Sequence, residues 1–209
     1  MSHPLMRAIQ KVLMVSLLTM AGCVFNIHNQ SPDQPSALIS SGAPIPAKVG
    51  LRHVPEQGQS PCGDTFQKFV EYLRQEQVFT ELWYGLRPTD APDFVFEVQF
   101  NCEVDQHQIQ NNLVSVAEGF TLLALTPLPL HNMDWIINAS VVVYRGDQIV
   151  KHYHVVSHFG ANMSSWGAFR QSKYHEAFQK ADDYTYQQLV SRFREDRIFF
   201  GERAANQSP

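Results

Sequence analysis

The stretch 93–104, DFVFEVQFNCEV, sets Phe94, Phe96, Val98 and Phe100 at every second position. Alternate side chains of an extended chain share a face, so this segment reads as a β-strand with one large apolar side. A face of that size must be buried, which requires a sheet with other elements packed on it. The packing partners are legible in the same way. Phe66, Phe69, Val70 and Leu73 fall at i, i+3, i+4 and i+7 behind Asp64, a residue suited to an N-cap. Tyr186, Leu189, Val190 and Phe193 repeat that spacing in a long helix over 170–197, and Phe178 and Ala181 extend its apolar side upstream. Arg192, Arg194 and Arg197 stand where a helix dipole favours cations.

The remaining elements are shorter. Residues 48–54 alternate weakly and read as a strand, followed by a loop over 55–61. Residues 77–84 are β-rich and read either as a strand or as the first helix continuing. The two prolines of 86–92 make that segment a connection. Residues 135–144 and 149–157 flank Gly146-Asp147 and read as a hairpin, since glycine takes positive φ freely. A two-residue turn there sets Val143 opposite Val150, Val141 opposite His152, Ala139 opposite His154 and Trp135 opposite His158. Both faces of this hairpin are substantially apolar, so either both are covered or one meets a partner.

The block 113–130 is the most apolar internal stretch. Pro127 limits its helix to about 14 residues, below the length that spans a bilayer, and Glu118 and Gly119 interrupt it. A buried core helix over 113–126 is expected, rather than a membrane-inserting or pore-lining segment. The element order is β-α-β-β, an apolar helix, β-β and a long helix. The fold class expected is α/β (α+β): a single mixed sheet of about five strands with helices packed on it. It would occupy 48–200 as one domain, with a polar tail at 201–209.

Composition agrees with one globular domain. The chain has 209 residues, 44% hydrophobic and 17% charged. Its 16 basic and 20 acidic residues lack the basic excess that phosphate neutralisation needs, so no nucleic-acid partner is expected.

The N-terminus is different in kind. Arg7 and Lys11 precede a nine-residue apolar run, VLMVSLLTM, and then Ala21, Gly22 and Cys23. A membrane span needs about 20 apolar residues. This run has the size of a signal-peptide core followed by small residues at a cleavage site. Leu18-Thr19-Met20-Ala21-Gly22-Cys23 resembles the lipobox of bacterial lipoproteins, with Met20 where that family usually has leucine. The resemblance implies cleavage of residues 1–22, a diacylglyceryl thioether and an N-acyl chain on Cys23, and, with Val24 rather than aspartate next, transfer to the outer membrane facing the periplasm. Several acyl chains would hold the protein there, where one binds only marginally. Residues 24–47 carry four prolines and one charge, Asp33. With Cys23 they read as a flexible tether, reaching several tens of ångströms at about 3.3 Å per residue.

Behind this anchor, the element order and the stretch VFTELWY…APDFVFEVQF resemble the small α/β domains of envelope lipoproteins, such as the curli-export lipoprotein family CsgG and the N-terminal domain of TolB. That resemblance implies assembly with other envelope proteins. It implies no reaction.

Candidate chemistry is sparse. His152 and His154 share a strand face and could share an ion, but His158 lies roughly 13 Å beyond His154. Two nitrogens make a poor site, and partly buried sheet histidines are the expectation. Asp182-Asp183 reads as a solvated helix face. The chain contains no G-x-S-x-G, H-E-x-x-H, P-loop or G-x-G-x-x-G. No catalytic residue, metal or cofactor is expected. The readings are a non-enzymatic binding or assembly lipoprotein, an enzyme with catalytic groups scattered along the chain, and an oligomeric export accessory.

Cys62 and Cys102 are the thiols left once Cys23 is acylated. The periplasm is oxidising and favours pairing them, which requires Cα atoms within about 7 Å. If 93–104 runs parallel to the first strand, Cys102 reaches the end of the sheet where Cys62 enters the first helix. An antiparallel hairpin between 78–84 and 93–104 would place it at the opposite end. The proline-bearing connection favours the parallel arrangement and the bridge.

Overall fold

The computed structural model describes residues 27–31, 42–55, 63–85, 91–105, 112–113, 131–163 and 167–205. Cys23, Cys62 and the apolar block from 114 to 130 lie outside the described residues. Six strands and three helices are described: β1 (Ile27–Asn29), β2 (Ile45–His53), α1 (Thr65–Gln75), β3 (Phe79–Tyr84), β4 (Phe94–Asp105), β5 (His131–Arg145), β6 (Gln148–Met163), α2 (Gly167–Glu195) and α3 (Arg197–Ala205). The fold is α+β, with one mixed sheet in the order β1-β6-β5-β4-β2-β3. Five strands are long and β1 is a three-residue addition at one edge. Among the described residues no helix is long and apolar enough to cross a membrane.

The chain divides into two compact units. One comprises 29–104, 135–159 and 178–209, and the other 1–28, 105–134 and 160–177. Of the second, Met133, Ala161 and Ala177 are buried, and Leu113, at the start of the apolar block, is 68% exposed. The expected burial of 113–126 therefore does not hold at its first residue. The first unit carries the core and the features below.

β2 pairs in parallel with both β3 and β4. Parallel neighbours need a crossover, and α1 is the crossover from β2 to β3. A hairpin of β3 with β4 is excluded, because β2 lies between them. Phe66, Phe69, Val70 and Leu73 of α1 are all buried. The helix ends where Gln77 turns left-handed at φ 47°, with the Gln77 amide donating to the Arg74 carbonyl and the Val78 amide to that of Leu73. Glycine usually holds such a position, so the sequence left the helix–strand boundary here unmarked.

Aromatic side chains tie all three helices to one sheet face. Phe94, Phe96 and Phe100 point from the same side of β4. Phe100 meets Phe69 of α1 at 5.6 Å, Phe96 meets Phe193 of α2 at 5.3 Å, and Phe94 meets Phe200 of α3 at 5.2 Å.

Three boundaries differ from expectation. β1 and residues 45–47 fall inside the segment expected to be a tether, and Ile45 and Ala47 are buried in the sheet. The prolines misled because a ladder irregularity between Ile45 and Lys48 accommodates Pro46, which lacks an N–H. Gly201 sits against that proline, so that a Cβ there would approach its Cγ to 3.3 Å. The long helix breaks at Asp196, and residues 201–205 continue α3 rather than a tail.

The hairpin register is also corrected. Its tip is Gly146-Asp147 as expected, with Gly146 at φ 57°. Buried positions, however, are odd-numbered on both strands: Trp135, Ile137, Ala139, Val141 and Val143 on β5, and Tyr153, Val155, Ser157 and Phe159 on β6. Ser140 Oγ lies 2.9 Å from His152 Nε2, so His152 shares a face with Ser140 and not with Val141. The ladder takes up one residue between the tip and this pair. A one-residue slip exchanges the faces of a strand, and the core takes the less polar set, with Tyr153 against Phe193 and Phe159 against Tyr184.

Candidate functional site

The aromatic contacts to the described helices all lie on one face of the sheet, and no described helix packs on the opposite face in the first unit. Side-chain pairs between neighbouring strands cross it. Lys48 Nζ lies 3.3 Å from Glu81 Oε1, joining β2 to β3. Arg52 Nη1 donates to Glu97 Oε1 at 2.7 Å, joining β2 to β4. The Tyr144 hydroxyl of β5 hydrogen-bonds Glu97 as well, which pushes its pKa up. Ser140 and His152 join β5 to β6. Val95, Ile136, Val142 and Val156 lie half-buried on this face. Cross-strand pairs of this kind each stabilise a sheet by roughly 0.2–1 kcal/mol. Paired charges and half-buried apolar side chains thus share this face.

The three sequence-expected histidines are on this face. His152 and His154 are exposed rather than partly buried, and His158 is half-buried. Among the described residues no group of three His, Cys, Asp or Glu side chains could hold a metal ion.

A second feature lies at the β3 edge. A groove of about 420 Å³ is lined by Pro44, Leu73, Arg74, Gln77, Phe79, Thr80 and Leu82. Thr80 Oγ1 donates to the Ala47 carbonyl at 3.0 Å and is held there.

The acidic pair on α2 was expected to be solvated, and the structure corrects this for one member. Asp182 is 1% exposed and Asp183 is exposed. Thr65 Oγ1 donates to Asp182 Oδ1 at 3.2 Å, and Lys68 Nζ lies 3.6 Å from Oδ2. Burial pushes the Asp182 carboxyl up to about 6, against the pull of Lys68. The Tyr186 hydroxyl donates to the Thr65 carbonyl at 2.7 Å, so the first turn of α1 is held to α2 by two hydrogen bonds and the Lys68 ion pair. Adjacent helix positions point about 100° apart, so one of the two aspartates could turn inward. Which one does is set by the location of Thr65 and Lys68, more than 100 residues earlier.

Cys102 is buried and disulfide-bonded. It stands near the C-terminal end of β4, and β4 runs parallel to β2, so both strands point towards the end of the sheet where α1 begins.

No family model matches the chain, and no curated protein matches it. Solved structures with some likeness include a PelC dodecamer from Paraburkholderia phytofirmans, 9% identical over 80% of this chain and 96% of that one, with a TM-score of 0.35. A minor lipoprotein from Acinetobacter baumannii is 12% identical over 72% of this chain and 94% of its own, with a TM-score of 0.42. A protein from Xanthomonas campestris is 9% identical over 86% and 97%, with a TM-score of 0.40.

Proposed function

We propose that this chain is an outer-membrane lipoprotein, anchored through Cys23 and facing the periplasm, that binds other envelope proteins and catalyses no reaction of its own. The anchor rests on the basic, apolar and small-residue order of residues 6–23. The binding role rests on one observation, a sheet face on which no described helix packs and where Val95, Ile136, Val142 and Val156 lie half-buried alongside the pairs Lys48–Glu81 and Arg52–Glu97. Such a face offers apolar contact beside charges that already have partners, which lowers the desolvation cost of an interface core. Cys62 is the proposed partner of Cys102, since oxidation after export would close that pair.

Photo-crosslinking in intact cells tests the reading. A photoreactive residue at Val142 should give a discrete protein adduct, and one at Gln179, exposed on α2, should give none. Equal labelling from both positions, or none from Val142, would remove the sheet face as the binding surface.

A further inference from the structure

The two edges of the sheet are finished differently. At the β6 edge the backbone is covered. The Gln30 amide donates to the His158 carbonyl at 2.7 Å, and the His158 amide donates to Ser31 Oγ at 2.9 Å. Further along, Arg192 Nη1 donates to the His154 carbonyl at 2.8 Å. An edge covered in this way is closed to strand addition. It presents Asn29, Gln30, His154 and Arg192, which are polar side chains suited to a headgroup layer and not to hydrocarbon.

The same contacts fix where the anchor leaves the domain. Gln30 is seven residues beyond Cys23, and seven residues span at most about 25 Å. The leash is therefore far shorter than a free segment running to β2 would be. β3, at the other edge, lies four strand spacings from β6, about 19 Å further.

We infer that the β1–β6 edge is the side of the domain held at the phospholipid surface, with β3 and its groove turned towards the periplasm. This rests on the lipid anchor proposed at Cys23. The protein then works close to the membrane, and its long connection between β1 and β2 does not lengthen its reach.

The test uses full-length protein processed in cells, extracted and reconstituted into phosphatidylethanolamine–phosphatidylglycerol vesicles containing headgroup-nitroxide lipid. A fluorophore is placed on a cysteine introduced by His154→Cys in one sample and by Glu81→Cys in another, both exposed positions. Quenching at 154 should exceed that at 81 at least threefold. Inserting fifteen Gly/Ser residues between Val24 and Phe25 should bring the ratio towards one. Equal quenching without the insertion, or a ratio unchanged by it, overturns the inference. Intact mass separates the two levels. Protein lacking acyl chains on Cys23 removes the anchor and the inference with it, whereas acylated protein with equal quenching removes only the orientation.

Discussion

The two faces of the sheet are built from one set of strands and carry different side chains. On the helix side, β4 contributes Phe94, Phe96, Val98 and Phe100, all buried, and α1, α2 and α3 each reach it through an aromatic ring. On the other side, the same strand contributes Val95, Glu97 and Gln99, and its contacts are cross-strand ion pairs and hydrogen bonds. Buried apolar area contributes about 25 cal/mol per Å², while exposed ion pairs contribute about 0–1 kcal/mol. Stability therefore resides on the helix side. The other side, on which no described helix packs, is the proposed recognition surface.

Substitutions can break this contrast, and the largest effect is expected at its centre. Phe96 touches Phe79, Phe193 and Phe200. Phe96→Ala should cost about 3–5 kcal/mol in denaturant unfolding, the range for deleting a buried ring. Cys102→Ala, on the same side of β4, should cost about 3–4 kcal/mol by opening a loop of about 40 residues if Cys62 is its partner. Peptide mapping of unreduced protein identifies that partner directly.

Asp182 sharpens the comparison, because it places an acid within the helix-side core. Its folded pKa of about 6 lies above its ordinary value of 3.8. An acid raised in this way favours the folded state most below about pH 4, and that contribution is lost as pH rises through about 6. Asp182→Asn should therefore add about 2 kcal/mol at pH 7.5 and close to nothing at pH 4, read from chemical denaturation at both values. A gain that did not depend on pH would show that the carboxylate is not the destabilising element.

The smallest effect is expected across the opposite face. Replacing Arg52 and Glu97 together by alanine should change stability by less than about 1 kcal/mol.

The helix side was largely legible from the chain. Spacings of two, three and four residues mark Phe94–Phe100, Phe66–Leu73 and Tyr186–Phe193, and the element order followed from them. What was not legible depended on distant residues or on backbone choices that leave no composition signal. The hairpin strands each carry two partly apolar faces, so only packing against Phe193 and Tyr184 decides which face turns in. Residues 27–31 have no strand pattern, and their pairing with β6 is visible only in three dimensions. The face opposite the helices was likewise hidden: its pairs join residues 12 to 47 positions apart, and no motif announces them.

The most direct test of the central claim uses Val142→Arg. It puts a charge in the middle of the face opposite the helices while leaving the aromatic core untouched. Its unfolding free energy should fall by no more than about 1 kcal/mol, and the adduct formed from a photoreactive residue at Val95 in intact cells should disappear. A stable Val142→Arg protein that still forms the same adduct would contradict the assignment of this face as the recognition surface.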